Sequence, residues 1–331
     1  MEPQPDARDG VNRLPARPDR PLDITVLLGG RSSEREVSLM SGTAVAEALE
    51  QVGHRVTRAD ISPSDVSSLD REGIDVVFIA LHGAFGESGE VQTLCEQRRL
   101  RYIGSGPRAS KMAMDKAASK QIFKTAGLQT PGWMIAEEFH PPRMVRKWLE
   151  GFPPPVVVKP VDGGSSVDII IAQDAAQRDE AIEDLYDKYG RAMIEQFVPG
   201  REMTVGVLGE DVALPVLEVL PDGDFYDYRA KYDDDAATDY RFEVDLGENV
   251  LRHLQEAAVT AHQALGCRDL SRVDFILDQN NIGHVLEVNT IPGFTSHSLL
   301  PKAAQRAGME FPELVDRIVG MAMTRHPRDI C

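Results

Sequence analysis

Asp274 and Glu287 are the two residues of this chain whose types and spacing best suit chemistry. The segment Ser271–Asp278, SRVDFILD, alternates as a strand does, and Gly283–Asn289, GHVLEVN, reads as its return. Between them, Asn280-Asn281 is the natural centre of a two-residue hairpin turn, because Asn tolerates the left-handed backbone such a turn needs. That turn makes Asp274 face Glu287 and Arg272 face Asn289, with all four side chains on one face. Directly opposed carboxylates destabilise a sheet unless something neutralises them. A hard divalent cation would do so, and two carboxylates with an amide suit Mg²⁺ that also carries substrate phosphates. A solvated acidic face is the alternative. Arg272 and Asn289 on the same face favour the metal.

Further candidates lie at strand ends. Lys159 closes an apolar run and is followed by Pro160-Val-Asp-Gly163-Gly164-Ser165-Ser166. Glycines let several backbone N–H groups aim at one anion, the hydroxyls add donors, and the lysine adds charge. A plain β-turn is the alternative. The chain has no Gly-Lys dipeptide, so a Walker-type loop is excluded. Gly29-Gly30 also follows a strand, but no third glycine completes a dinucleotide fingerprint. Arg31-Ser-Ser-Glu34 then opens a helix at the C-terminal end of that strand, where ligands of α/β sheets sit. Glu34 could equally serve the helix dipole alone. His82 ends another strand before a glycine-rich loop, and a lone His is more often structural. Tyr226, Tyr228, Lys231 and Tyr232 lie in a long polar stretch, Pro221 to Arg241, of the kind used as a lid.

The elements that must position these residues alternate in two styles. Leu22–Leu28, a helix from Glu34 to Gln51, His54–Ile61 and Ile74–Leu81 give the strand–helix–strand order of a parallel sheet. A further helix and a short strand at Arg101–Ile103 follow. From Asp115 the texture is that of a small α+β lobe, with strands at Trp133–Ala136, Val156–Lys159, Val167–Ala172, Met193–Phe197 and Glu202–Leu208. The last part holds a strand at Val212–Leu220, the polar stretch, a helix to Leu265, the carboxylate hairpin and two closing helices. The expected division is a disordered tail at 1–21, an N-terminal α/β lobe at 22–114, a central lobe at 115–209 and a C-terminal lobe at 210–331.

The 331 residues are long for one core. With 42% hydrophobic and 27% charged residues the chain is a soluble globular protein by composition. Its 53 acidic against 36 basic residues, a formal charge of −17, disfavour nucleic acid and anionic membranes as partners. Three scattered cysteines, Cys95, Cys267 and Cys331, point to a reducing compartment. No apolar run reaches membrane-spanning length, and the first twenty residues are no signal peptide. A cytoplasmic location is expected.

The ordered motifs of residues 22–325 resemble those of the D-alanine–D-alanine ligases of the ATP-grasp superfamily. They are Leu28-Gly-Gly-Arg-Ser-Ser-Glu-Arg-Glu-Val-Ser38, Ala80-Leu-His-Gly83, Met114-Asp-Lys116, Val158-Lys-Pro160 and Gly164-Ser-Ser166. Phe225-Tyr-Asp-Tyr228, Ala230-Lys-Tyr232, Arg272-Val-Asp274, Glu287-Val-Asn-Thr290 and Pro292-Gly-Phe-Thr-Ser-His-Ser298 complete the set. The resemblance implies an α/β fold in which two α+β lobes clamp ATP beside an N-terminal parallel lobe. It also implies a homodimer and a role in peptidoglycan precursor synthesis.

The activity so implied phosphorylates the carboxylate of one D-alanine with ATP, and the amine of a second D-alanine displaces the phosphate. By position, Lys116, Lys159, Ser165 and Ser166 would hold ATP phosphates, and Glu195, Val198 and Glu202 its adenine–ribose half. Asp274, Glu287 and Asn289 would bind two Mg²⁺, or Mn²⁺. Glu34, with His82 close by, would take the first ammonium, and Ser298 beside Leu299 the second carboxylate. Arg272 and the Gly293 N–H would stabilise the tetrahedral oxyanion. Ser165 and Tyr232 would tie the lid to the first site, with Lys231 near the transferred phosphate. D-lactate or D-serine as second substrate, or a silent nucleotide-binding relative, are the alternatives. The chain departs from the family pattern at Asp168 (usually Gly), Ser88, Thr93 and Arg229. The Asp168 carboxylate, so near the phosphate loop, is expected to weaken ATP binding.

Overall fold

A strand buried almost end to end, β1 (Asp23–Leu28), starts the first sheet. The chain returns through α1 (Arg35–Gln51) to β2 (Arg55–Asp60), and later to β3 (Val76–Ile79). Both flanking strands run parallel to β1, giving the order β2-β1-β3. The computed structural model describes residue 11 and residues 13–164, 167–220, 239–295 and 297–325. Helix α1 turns Val37, Ser38, Ser41, Val45 and Leu49 inward, a stripe at helical spacing. Gly42 lets it press on the sheet, since a Cβ there would lie 2.4 Å from Leu28 Cβ. The short strand expected at Arg101–Ile103 is a single parallel bridge from Tyr102 to Val77.

Helices α2 (Ala84–Glu87), α3 (Glu90–Gln97), α4 (Pro107–Met114) and α5 (Lys116–Thr125) lead to the second sheet. Asp115 caps α5 by accepting from the N–H groups of Ala117 and Ala118. The second sheet is antiparallel, with order β4-β7-β5-β6. It comprises β4 (Trp133–Glu137), β5 (Val156–Lys159), β6 (Ile170–Ala172) and β7 (Arg191–Gln196), joined through α6 (Pro142–Leu149) and α7 (Ala175–Tyr189). Strand β6 begins later than the alternation from Val167 suggests, because Asp168 takes a left-handed φ of 55° and breaks the extended run.

The third sheet has six strands: β8 (Gly200–Leu208), β9 (Val212–Ala213), β10 (Leu217–Leu220), β11 (Asp239–Arg241), β12 (Leu270–Asp278) and β13 (Gly283–Asn289). Its order is β11-β10-β8-β12-β13, with β9 on β8. The strand expected over Val212–Leu220 is thus two pieces. Helix α8 (Glu248–Leu265) covers this sheet, and α9 (Leu299–Arg306) and α10 (Phe311–Thr324) close the chain. No helix of the described residues is long and apolar enough to cross a membrane.

Packing crosses the expected boundaries at both ends. Val11 and Leu14, placed by the sequence in a loose tail, are buried in one cluster with Ile24, Val45 and Leu49. Leu314 and Ile318 of α10 join that cluster, so the last helix packs on the first sheet.

Candidate active site

Strands β12 and β13 pair as the sequence suggests where it matters: Arg272 faces Asn289 and Asp274 faces Glu287. They arrive there by a different route. The turn holds three residues rather than two, with Asn281 in the left-handed region at φ 60°, and a bulge between Asp274 and Phe275 restores the register. Leu286 is the extra residue, so Leu286 and Glu287 both line the same cleft.

The Asp274 carboxylate is held from three sides. Arg272 donates Nε and Nη2 to it at 2.9 and 2.7 Å, Thr204 Oγ1 donates at 2.6 Å, and Asn289 Nδ2 donates at 3.0 Å. Glu287 lies 4.0 Å from Lys116 Nζ, which also donates to the Gly163 carbonyl at 2.6 Å. The chain's own cations therefore relieve much of the repulsion between the opposed acids. Thr204 was not foreseen; its signal is a lone hydroxyl residue in the apolar run Met203–Leu208, directly opposite Asp274 in β8. No three His, Cys, Asp or Glu side chains converge to hold a metal among the described residues. Two carboxylates and an amide oxygen are hard donors that fit Mg²⁺ only when phosphates complete its shell.

The cleft lies between the second and third sheets. Val157, Ile171, Phe197, Met203, Ile276 and Leu286 give it apolar walls, and Lys159, Glu195, Val198, Glu202, Asp274, Glu287 and Leu299 also line it. Lys159 and Glu287 also line an adjoining pocket with Glu34, Lys116, Gly163 and Gly164, so the two form one continuous trough. Four residues expected to contact ATP or its lid, Ser165, Ser166, Lys231 and Tyr232, lie outside the described residues.

Glu195, expected as a nucleoside contact, lines the cleft and is held by two lysines. It is 2% exposed, and its carboxylate accepts from Lys159 Nζ at 2.6 Å while Lys120 Nζ abuts its other oxygen. Burial works to raise its pKa, but the charges of Lys159 and Lys120 hold it below the usual value. Lys120 itself was missed by sequence reasoning. The signal was present: it stands four residues from Lys116, on the buried face of α5.

At the far end of the trough Glu34 is buried at the start of α1. Ser32 Oγ accepts from the Glu34 N–H at 3.2 Å and donates to the His82 carbonyl at 2.9 Å, tying that loop to the end of β3. The left-handed Gly83, φ 88°, passes so close that a Cβ would lie 2.8 Å from Ser32 Cβ. His82 is buried, with Nε2 3.2 Å from Ser41 Oγ and Nδ1 3.5 Å from Glu87. Ser41 Oγ also accepts from the Phe294 N–H at 3.4 Å, which joins the first sheet to the loop carrying Gly293. A Cβ on Gly293 would lie 2.5 Å from Ser298 Oγ, and that oxygen accepts from the Thr295 N–H at 2.9 Å. Gly293 and Ser298 therefore lie side by side.

Asp168 is tied up in an ion pair beside the trough, where its partner Tyr189 is a lining residue. Its carboxylate accepts from Lys188 Nζ at 2.7 Å and Tyr189 OH at 2.6 Å. Lys188 and Tyr189 hold its pKa below the usual range, while the Tyr189 hydroxyl is pushed up to about 12 by that hydrogen bond. The expected penalty on ATP binding does not fit this geometry. Asp168→Gly should leave the apparent Michaelis constant for ATP unchanged in steady-state titrations. A lower constant would mean that the carboxylate does repel the nucleotide.

Two antiparallel sheets closing on a trough lined by lysines on one side and paired carboxylates on the other define an ATP-grasp ligase. The family model described as D-ala D-ala ligase C-terminus matches residues 122–320. A D-alanine–D-alanine ligase of Gloeobacter violaceus is 43% identical over 303 residues, spanning 91% of this chain and all of the relative. The solved D-alanine–D-alanine ligase of Bacillus anthracis complexed with ATP is 31% identical, covers 92% of this chain and 97% of its own, and has a TM-score of 0.79. A D-Ala:D-Ser ligase of Enterococcus faecalis is 28% identical, covers 92% and 100%, and has a TM-score of 0.81. The chain belongs to the D-alanine–D-alanine ligase family.

Proposed function

We propose that this chain joins two D-alanines at the expense of ATP and so supplies the dipeptide of peptidoglycan precursors. The observation that carries this reading is the single trough in which Asp274 and Glu287 face Lys116 and Lys159, with Glu34 at its end. The apolar walls suit an adenine ring, and Val198 and Glu202 line the same stretch. Lys116 and Lys159 hold positive charge where the phosphates would lie. Asp274, Glu287 and the Asn289 amide would hold Mg²⁺ or Mn²⁺, which when bound supplies neutralising charge on the phosphates.

The carboxylate of the first D-alanine attacks the terminal phosphorus of ATP, giving an acyl phosphate and ADP. Glu34 binds its ammonium and fixes its direction of approach, while His82 braces that end. The amine of the second D-alanine then attacks the acyl carbon, and collapse of the tetrahedral intermediate expels phosphate. Arg272 and the Gly293 N–H face the oxyanion, and Ser298 beside Leu299 takes the second carboxylate. Ser165, Lys231 and Tyr232, which lie outside the described residues, would by the family resemblance serve the first substrate and the transferred phosphate. The division into lobes at residues 22, 115 and 210, a homodimeric assembly and a cytoplasmic location complete the proposal.

Purified protein with MgATP should release phosphate only when D-alanine is added, and the product should have the mass of the D-alanine dipeptide. Turnover with L-alanine but not D-alanine would overturn the reading. A mixed product with D-lactate or D-serine, formed in preference to the dipeptide, would replace its second substrate.

A further inference from the structure

Behind the phosphate end of the trough lies a charge cluster of which the family resemblance singles out Lys159 and Glu195 but not Lys120. Lys120 is fully buried on α5. Its Nζ abuts Glu195 and donates to Thr130 Oγ1 at 2.6 Å, and that hydroxyl donates to the Val285 carbonyl of β13 at 2.7 Å. Glu195 accepts from Lys159 on its other oxygen at 2.6 Å. The chain of contacts therefore runs from the strand that carries Glu287, through Lys120, to the lysine at the trough.

We propose that Lys120 is a positioning residue of the nucleotide site, sharing Glu195 with Lys159 so that the cluster keeps one positive charge for the phosphates of ATP. The inference rests on the ATP site proposed above. Two ammonium groups against one carboxylate leave an excess of one charge. Without Lys120, Glu195 and Lys159 neutralise each other as a tight buried pair, and Lys159 offers the nucleotide little net field. Thr130 fixes the direction of Lys120, so the ammonium cannot swing to the trough itself.

The state of Lys120 depends on every charge packed around it. Glu195 approaches from β7, Lys159 from β5 and Glu287 from β13, while Lys124, one turn along α5, shares the Trp133 ring with it. Burial is the largest influence and pushes the ammonium down to about 8, with Glu195 acting against it. Lys120 is charged below that value and neutral above it, so nucleotide affinity should fall as pH rises through it.

The test is MgATP binding measured by calorimetry at pH 7 and pH 9.5 on the full chain, with no D-alanine present. Lys120→Met should raise the dissociation constant at pH 7 about tenfold, the effect of a unit charge in a partly screened site. It should also remove most of the weakening seen in the wild type at pH 9.5. An unchanged constant in Lys120→Met would overturn the proposal. If Lys120→Met does not fold, Lys120→Gln, whose amide can still reach Thr130 and Glu195, takes its place with the same outcomes. Phosphate release by the wild type with D-alanine is scored separately, so loss of the ligase reading and loss of this inference are distinguishable.

Discussion

Glu287→Gln is expected to lower turnover about a thousandfold, the several kcal/mol of charge stabilisation a bound metal supplies at about 1.4 kcal/mol per tenfold. Its stability without metal should stay level or rise. Among the described residues the nearest cation to the Glu287 carboxylate is 4.0 Å away, and the amide relieves the repulsion from Asp274 across the ladder. Asp274→Asn should lose as much turnover, yet behave differently in chemical denaturation. The Asp274 carboxylate receives both nitrogens of Arg272, the Thr204 hydroxyl and the Asn289 amide, and Arg272 is only 13% exposed. Losing the charged acceptor should cost about 2 kcal/mol, the scale of a hydrogen bond to a charged group. Parallel urea titrations with chelator and turnover assays with MgATP and D-alanine check both. Equal stability losses in the two variants would mean that the acids brace the hairpin in the same way, and full activity in either would remove it from the metal site.

That difference between two facing acids could not be read from the sequence. Alternation along β12 and β13 placed the acids opposite each other, because side chains of a strand repeat every second residue and the motif is local. The expected two-residue turn was wrong by one residue, and the bulge at Leu286 compensates by one, so the pairing stood for a reason the pattern did not contain. What escaped was contact between residues far apart in the chain. Thr204 meets Asp274 from β8, Lys120 on α5 meets Glu195 on β7, and Ser41 joins His82 to Phe294. A hydroxyl or a lysine in an amphipathic segment reads as surface until the partner is known. Asp168 gives the converse case: its departure from glycine was visible, but only the arrival of Lys188 and Tyr189 fixes which way it points.

Arg272 carries two assignments that the structure allows to be separated. As a brace it fixes Asp274 through two hydrogen bonds; as an electrostatic donor it faces the developing oxyanion. Arg272→Met should lower kcat about a hundredfold or more, the loss seen when one preorganised donor is removed. The two roles respond differently to metal. A brace acts through the affinity of Asp274 for Mg²⁺, so raising Mg²⁺ should return most of kcat in the variant. An oxyanion donor contributes to the transition state even when the metal site is full, so kcat should stay low at saturating Mg²⁺ while the Mg²⁺ midpoint barely moves. We expect the second pattern, because Thr204 and Asn289 still hold Asp274 when the guanidinium is gone. Arg272→Lys sharpens the distinction. Its compact ammonium keeps the charge but lacks the planar fork that reaches Asp274 with two nitrogens. If charge near the oxyanion is what matters, the lysine variant should recover part of the lost kcat. Full recovery of Arg272→Met by Mg²⁺ alone would confine Arg272 to bracing Asp274 and leave the oxyanion to the Gly293 N–H.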